Sequence, residues 1–280
     1  MKSSIFSKAC CFVLLAVFGT ASAEEHPSTA QANVHVLAPL RMPGLDRERT
    51  LRIYLPPGYE QSERRYPVLY MHDGQNLFDA ATAPYGEWGV DEILNELART
   101  KQFELIVVGI DHGQEKRMQE LNAWENEKYG KGDGREYMRF VVDVVKPYVD
   151  THYRTQPDRG HTAIMGSSMG GLISHYAIFE YPDVFGMAGI FSPSYWFAPA
   201  ATEFTRTHAL PRDARLYFYV GGAEGDTMLP DMRAIVAIMK ARGFPQRNLR
   251  VEVNARAKHN EKAWNAEFSR AIEWLFDGVH

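Results

Sequence analysis

Residues 162–171 read TAIMGSSMGG and determine the architecture more than any other segment of the chain. The apolar run Thr162–Met165 is typical of a buried strand, and it leads into a Gly-x-Ser-x-Gly pattern at Gly166–Gly170. Apolar residues at helical spacing follow from Met169 to Tyr181. The segment therefore predicts a buried strand that turns sharply into a helix, with Ser168 at the point of the turn.

The same alternation of strand and helix patterns extends in both directions from this segment. Further strands are predicted at Tyr66–Met71, Leu105–Ile110, Phe185–Phe191, Leu216–Val220 and Leu249–Val253, and further helices at Trp88–Leu97, Tyr137–Val149, Asp231–Ala241 and Glu261–Phe276. Two alternating runs, Asn33–Leu40 and Thr50–Leu55, come first and fit an antiparallel pair. We therefore expect residues 24–280 to form a single α/β domain with a mostly parallel, doubly wound sheet and antiparallel N-terminal strands.

The N-terminus has the pattern of a secretory signal peptide. Lys2 and Lys8 accompany a short apolar run, Ala9–Phe18, which is about half the roughly 20 residues that a bilayer-spanning helix needs. Ala21–Ala23 is a small-residue cleavage site, so residues 1–23 are predicted to be removed and the protein to be periplasmic or secreted. An uncleaved anchor is the alternative. We expect no stable membrane insertion.

Composition limits the classes of function. The chain has 280 residues, of which 24% are charged and 45% hydrophobic, as in globular enzymes. Its formal charge of −4 provides no basic excess for binding nucleic acid. Both cysteines, Cys10 and Cys11, lie in the predicted signal peptide. The mature chain would then have no disulfide, no catalytic thiol and no zinc site built from cysteine.

Ser168 is the candidate nucleophile. A tight turn between strand and helix leaves no room for side chains at the flanking positions, which are Gly166 and Gly170 here. The serine hydroxyl is then exposed at the point of the turn. The helix N-terminus behind it favours negative charge in front of the turn. The alternative is a glycine-rich turn with a purely structural role.

A serine hydroxyl is a weak nucleophile, and it needs a base that is oriented by an acid. In folds with this turn the order along the chain is nucleophile, acid, histidine. The histidines after Ser168 are His175, His208, His259 and His280. His259 follows the last predicted strand and precedes the last predicted helix, where the base is expected.

The acid is expected after the preceding strand, Leu216–Val220. Two carboxylates follow that strand, Glu224 and Asp226, and either can reach the histidine. Glu224 is favoured because it lies nearer to the strand end, and Asp226 stays open.

An oxyanion hole needs two backbone N–H groups. Met169, directly after the nucleophile, is one predicted donor. The other is expected in the loop His72–Asp79, where Gly74 lets the backbone turn inward and leaves the N–H of Gln75 as donor. His72 itself is expected to shape this loop by hydrogen bonding rather than to bind a metal.

Two long excursions also follow predicted strands. Trp124 and Tyr129 lie in the excursion from residue 111 to 135, and Trp196 and Phe197 lie in the one from residue 192 to 213. Because open α/β sheets bind ligands at the C-terminal ends of their strands, these four aromatic residues are candidates for a substrate site for an aromatic acyl group or a sugar. Ordinary loop packing is an equal alternative.

Four segments together resemble one family. These are His72–Asp79, Gly166–Gly171, Ser192–Trp196 and His259–Trp264. They look like the corresponding motifs of the "putative esterase" family of α/β hydrolases, which is related to esterase D, to feruloyl and acetyl-xylan esterases, to siderophore esterases and to mycolyltransferases. The similarity runs from about residue 49 to residue 276.

The resemblance implies an α/β-hydrolase fold and the same site residues. The nucleophile of the family corresponds to Ser168, its base to His259, its oxyanion donors to Gln75 and Met169, and its acid to Glu224. Some members have Asp as the acid, and siderophore esterases can work with a Ser–His dyad.

The sequence thus predicts a secreted serine carboxylesterase that acts on a small-molecule or carbohydrate ester and requires no metal or cofactor. An acyltransferase with the same triad and a non-catalytic binding module with this fold are the alternatives. The sequence indicates neither the particular ester nor the oligomeric state.

Overall fold

The structure is a computed structural model and describes residues 27–279. The predicted signal peptide, residues 1–23, lies outside these residues, so its cleavage and the location of the enzyme stay predictions. Within the described part of the chain, no helix is both long enough and apolar enough to cross a membrane.

The described residues form twelve strands and eight α-helices. The strands are β1 (Val34–Val36), β2 (Leu40–Met42), β3 (Arg47–Arg49), β4 (Leu51–Tyr54), β5 (Val68–His72), β6 (Ile106–Ile110), β7 (Glu125–Asn126), β8 (Gly130–Lys131), β9 (Thr162–Ser167), β10 (Met187–Phe191), β11 (Arg215–Gly221) and β12 (Leu249–Asn254). The helices are α1 (Val90–Lys101), α2 (Arg117–Glu120), α3 (Gly134–Phe140), α4 (Lys146–His152), α5 (Met169–Glu180), α6 (Ala200–Thr207), α7 (Met228–Ala241) and α8 (Glu261–Leu275). A π-helical turn, Val141–Val145, joins α3 to α4.

Eight of the strands form one sheet in the order β1-β4-β6-β5-β9-β10-β11-β12. Six neighbouring strands are parallel, namely β6, β5, β9, β10, β11 and β12. Strand β4 is antiparallel to both of its neighbours, β6 and β1. The prediction of a mostly parallel sheet with antiparallel N-terminal strands is therefore confirmed. The parallel strands bring the C-terminal ends of β5, β9, β11 and β12 to one edge of the sheet.

Helices cover both faces of this sheet. Strand β5 shows why, because its alternate side chains enter two different apolar clusters: Leu69 packs on the side of α1 and α8, and Tyr70 packs on the side of α3 and α5. All five residues of β5 are buried, as are all five of β6. Continuous apolar runs are thus explained by burial on two faces, as predicted for a doubly wound sheet.

The two excursions contain more regular structure than the sequence suggested. Residues 111–135 contain α2 and the short hairpin β7–β8, and residues 192–213 contain α6. The α6 helix has eight residues and buries only Ala201, Phe204 and Thr205. So few buried positions do not produce a recognisable helical period in the sequence. The β2–β3 hairpin was also not predicted.

Candidate active site

Ser168 lies at the turn between β9 and α5 in a strained backbone conformation. Its φ of 59° and ψ of −117° are rare for a residue with a side chain. A Cβ on Gly166 would lie 2.8 Å from the carbonyl carbon of Gly170, and a Cβ on Gly171 would lie 2.6 Å from the oxygen of Phe191. The glycines therefore leave the room that this sharp turn requires.

Ser194 is the nearest polar partner of Ser168. The two hydroxyl oxygens are 3.1 Å apart, and the N–H of Ser194 donates to the carbonyl of Ser168 at 3.1 Å. Among the described residues, Ser194 is the one hydrogen-bond partner of the Ser168 side chain. To donate its proton to His259, which lines the same pocket, the Ser168 hydroxyl must point toward that residue.

A carboxylate–imidazole pair stands at the ends of the last two strands of the sheet. Oε2 of Glu224 is 2.8 Å from Nδ1 of His259, and the Glu224 side chain is fully buried. Its other oxygen, Oε1, accepts the Ser192 hydroxyl at 2.7 Å and the Gly221 N–H at 2.5 Å. A buried carboxylate needs partners of this kind to remain ionised.

Asp226 has a different environment from Glu224. It is exposed and two residues farther along the loop, whereas Glu224 points inward to His259. The structure thus brings one of the two candidate acids to the histidine and leaves the other in solvent.

We expect Glu224→Gln to lower kcat by on the order of 10²-fold or more, and Asp226→Asn to change it less than threefold. The amide keeps the size of the side chain but removes the charge that stabilises a protonated imidazole. Steady-state kinetics on p-nitrophenyl acetate for the two purified variants test this. A larger loss from Asp226→Asn would move the acid to Asp226, and two mild effects would indicate a Ser–His dyad.

The backbone around His259 is fixed by the start of α8. Asn260 caps this helix, because its side-chain oxygen accepts the N–H of Ala263 at 3.0 Å. The ring of Trp264, one turn into the helix, stands edge-on to the imidazole with ring centroids 5.0 Å apart. A helix cap and an aromatic contact therefore hold His259 where β12 ends.

The predicted oxyanion donors, Gln75 and Met169, come from two different segments of the chain. Met169 is the first residue of α5, where a helix leaves its N–H groups without intrahelical acceptors. Gln75 lines the same pocket as Ser168. Two contacts fix Gln75: its side-chain oxygen accepts the N–H of His112 at 2.9 Å, and its carbonyl accepts the hydroxyl of Thr82 at 2.7 Å.

An ion pair that the sequence did not reveal supports the Gln75 loop. Asp73 has a left-handed φ of 59°, and its carboxylate receives two hydrogen bonds from Arg117 at 2.6 and 2.8 Å. Burial alone would raise the pKa of Asp73, but the Arg117 guanidinium outweighs it and holds that pKa below its usual value.

His72, the residue before Asp73, is buried and hydrogen-bonded. Its Nδ1 is 2.7 Å from the hydroxyl of Tyr137, and burial lowers the pKa of His72 to about 4. His72 is thus neutral at neutral pH.

Asp73, Gln75 and Arg117 line a pocket of about 810 Å³ together with Ser168 and His259. Tyr85, Trp88 and Trp264 supply its aromatic wall. Tyr85 and Trp88 were not identified as site residues from the sequence. Trp264 belongs to the His259–Trp264 segment that resembles the esterase family. Within residues 27–279, no group of three or more His, Cys, Asp or Glu side chains is arranged to hold a metal ion.

The four aromatic residues proposed for the substrate lie outside this pocket. Trp124 packs edge-on against Tyr176 and Phe204 with centroids 5.7 and 5.3 Å away, so it belongs to the core. Phe197 is 1% exposed, and it supports Trp196 and Tyr129 from below. Three of the four, Tyr129, Trp196 and Phe197, line one pocket and Trp124 lies apart from it, so a role of these residues in binding substrate stays a prediction. Trp196 and Tyr129 are exposed, at a second pocket of about 600 Å³.

Trp196 and Phe197 form a matched pair for testing this placement. Phe197→Ala should lower the free energy of unfolding by about 3–5 kcal/mol, because it removes a buried ring and leaves a cavity. Trp196→Ala should cost less than about 1 kcal/mol, because 53% of that side chain is already exposed. Urea unfolding monitored by circular dichroism measures both values. Equal losses would place Trp196 in the core as well.

Comparison with known proteins gives one family match. The family model described as "Putative esterase" matches residues 43–275. The uncharacterized protein YbbA of Bacillus subtilis (strain 168) is 27% identical over 242 residues, covering 81% of this chain and 92% of that protein. The endo-1,4-beta-xylanase/feruloyl esterase of Xylanibacter ruminicola is 25% identical over 233 residues, covering 81% of this chain but 29% of that longer protein.

Solved structures show the same architecture. A ferulic acid esterase superposes with a TM-score of 0.69 at 20% identity, covering 87% of this chain and 98% of that one. The enterobactin esterase of Shigella flexneri superposes with a TM-score of 0.71 at 17% identity, covering 90% of this chain and 62% of that one. Together with the sheet order described above, these similarities establish the α/β-hydrolase fold.

Proposed function

Since the chain belongs to the "Putative esterase" family, we propose that its esterase activity is that of a serine carboxylesterase that works through an acyl-enzyme. One observation carries this proposal. The carboxylate of Glu224 is buried and lies 2.8 Å from the imidazole of His259, which shares its pocket with a serine held at a strained strand-to-helix turn. A nucleophile, a base and an orienting acid are the parts that acyl transfer needs.

In the proposed mechanism, Ser168 turns from Ser194 toward His259 as the ester enters the pocket. His259 accepts the hydroxyl proton while Ser168 attacks the carbonyl carbon, and the negative charge of Glu224 stabilises the resulting imidazolium. His259 then gives this proton to the departing alcohol. Water attacks the acyl-enzyme with His259 again as base, which releases the acid and restores the serine.

The backbone N–H groups of Gln75 and Met169 would stabilise the oxyanion during both steps. Stabilisation of this kind is strong only where the donors are fixed before the reaction. Hydrogen bonds to both ends of Gln75 and the first turn of α5 behind Met169 support that requirement.

The proposed substrate is a small-molecule or carbohydrate ester. The named relatives include a feruloyl esterase and siderophore enterobactin esterases, which supports an ester whose acyl group or alcohol is larger than acetate or ethanol. The aromatic wall of Tyr85, Trp88 and Trp264 also supports an ester with a large acyl group or alcohol. The N-terminal sequence supports a periplasmic or secreted location, with residues 24–280 as a single domain.

A fluorophosphonate probe tests the nucleophile directly. We expect stoichiometric labelling of the wild-type protein, with the adduct mapped to Ser168 by peptide mass spectrometry, and no labelling of Ser168→Ala. A substrate panel of p-nitrophenyl acyl esters, methyl ferulate, acetylated sugars and a ferric siderophore then identifies the ester. Product analysis with an added acceptor alcohol separates hydrolysis from acyl transfer. A folded protein that is not labelled would contradict the proposal.

A further inference from the structure

The second pocket is a corner built from aromatic rings, and the catalytic steps proposed above do not use it. Phe197 forms its floor. The ring of Tyr129 lies tilted by 34° to Phe197 with centroids 5.1 Å apart, and the ring of Trp196 stands at 84° to Phe197 with centroids 5.8 Å apart. The two exposed rings thus form walls that meet at an angle, around a space of about 600 Å³.

The corner is held in shape by the β7–β8 hairpin. Asn126 donates its side-chain amide to the carbonyl of Phe197 at 2.7 Å, which joins the hairpin to the floor. The side-chain oxygen of Asn126 accepts the N–H groups of Lys128 and Tyr129 at 2.9 and 3.0 Å, which shapes the tip of the hairpin. These hydrogen bonds fix the hairpin against the floor of the corner, so little ordering would be needed when a ligand binds.

Polar groups surround the aromatic walls. Glu125 and Glu127 line the corner, and among residues 27–279 their carboxylates have neither an ion pair nor a hydrogen-bond partner. Lys128 stands over the Tyr129 ring at 5.1 Å from its centroid. Unpaired carboxylates accept hydrogen bonds from hydroxyl groups and repel anions. An aromatic surface beside such acceptors suits a ligand with an apolar face and many hydroxyls.

The corner and the catalytic pocket are separate but close. None of the residues that line one lines the other. Trp196 follows Ser194 by two residues, and two residues span at most about 7 Å of backbone. Ser194 itself contacts Ser168 at 3.1 Å. A ligand of several linked units that occupies the corner could therefore extend to the nucleophile.

We propose that Trp196, Tyr129 and Phe197 form an accessory site for a neutral oligosaccharide, which holds a glycan while an ester on it reaches Ser168. Pyranose rings match the chemistry of the corner, because they present C–H groups on one face and hydroxyls at the edge. The two free carboxylates outnumber the one cation of the corner, Lys128, and therefore disfavour acidic glycans. The proposal rests on the proposed esterase function for its purpose, but the binding site itself does not require turnover.

Binding is tested on the full chain carrying Ser168→Ala, so that no ester can be consumed. Isothermal titration with xylohexaose and cellohexaose should show saturable binding of at least one, and hexagalacturonate should not bind. Adding Trp196→Ala or Tyr129→Ala should weaken this binding on the order of tenfold, since a single aromatic contact is worth up to roughly 1.5 kcal/mol. Circular dichroism and thermal unfolding confirm that each variant is folded.

Val36→Ala is the control, because it removes an exposed apolar side chain of β1 that lines neither pocket. It should leave the affinity for the hexasaccharide unchanged. The proposal is overturned if neither hexasaccharide binds at millimolar concentration, or if the Trp196→Ala and Tyr129→Ala variants bind as tightly as the Val36→Ala control. If binding is present as expected but the wild-type enzyme hydrolyses no ester, the corner stands and the proposed function fails.

Kinetics provide a second readout. For acetylated xylohexaose, Trp196→Ala should raise KM on the order of tenfold with little change in kcat, and kcat/KM for p-nitrophenyl acetate should stay within twofold of wild type. A small ester reaches Ser168 without contacting the corner, which explains the difference. Equal effects on both esters would overturn the role of the corner in holding the substrate.

Discussion

Ser168→Ala is expected to lower kcat/KM for ester hydrolysis by about 10³-fold or more while the protein remains folded. Without the hydroxyl no acyl-enzyme forms, and only the oxyanion hole and substrate binding still contribute to the rate. The change removes one oxygen from a partly exposed side chain, so the free energy of unfolding should hardly fall. Relief of the strained backbone is not expected either, because alanine also has a Cβ.

The measurement is steady-state hydrolysis of p-nitrophenyl acetate, beside thermal unfolding of the same sample. Ser167→Ala is the natural control, because Ser167 is the adjacent serine and lies at the end of β9 rather than at the point of the turn. It should retain activity within about tenfold of wild type. Activity of Ser168→Ala within that same range would refute the assignment of the nucleophile.

His259→Ala should be nearly as damaging as Ser168→Ala, with a loss on the order of 10³-fold or more. The serine then has no base to accept its proton. Because nucleophile and base act as a unit, the double variant Ser168→Ala/His259→Ala should be no slower than the worse single variant. Two losses that multiplied would instead mean that the residues act independently.

His208→Ala is the control for this variant, since His208 is a surface histidine whose Nε2 is 3.4 Å from Glu180. It should leave kcat unchanged. A loss of kcat in His208→Ala as large as that in His259→Ala would mean that the effect is not specific to His259.

The sheet and the elbow could be predicted because their causes are local in sequence. Strands β5 and β6 are buried on both faces, so their apolar runs are continuous, and the turn at Ser168 requires glycines that stand beside it. The position of His259 followed from chain order in this type of fold. The strand and turn signals lie within a few residues of the features that they predict, whereas the assignment of His259 depended on the order of elements along the chain.

The sequence favoured Glu224 over Asp226 only because Glu224 lies nearer to the strand end, and it left Asp226 open. Two carboxylates two residues apart look alike in sequence, and what separates them is a partner 32 residues away, the hydroxyl of Ser192. The Asp73–Arg117 pair joins residues 44 positions apart and was invisible for the same reason. Contacts between distant segments are decided by the fold, not by the local pattern.

The aromatic residues show a related limit. Trp124 lies among polar residues, which suggested exposure, but α6 comes from the other excursion and covers it with Phe204. Trp196 and Phe197 are neighbours with opposite environments, one half exposed and the other buried. Composition of a loop therefore does not say which of its aromatic side chains face solvent.

The hydrogen bonds around Glu224 also determine where the proton on His259 resides. An ionised carboxylate can only accept, so Oε2 requires that Nδ1 of the neutral imidazole carry the hydrogen. Ser192 receives the indole N–H of Trp264 at 3.0 Å, and its own single hydrogen is therefore directed to Oε1. Oε1 thus accepts from the Ser192 hydroxyl and from the N–H of Gly221, which leaves Oε2 for the imidazole. This fixes the Nδ1–H tautomer, whose unprotonated Nε2 is the nitrogen that can act as a base.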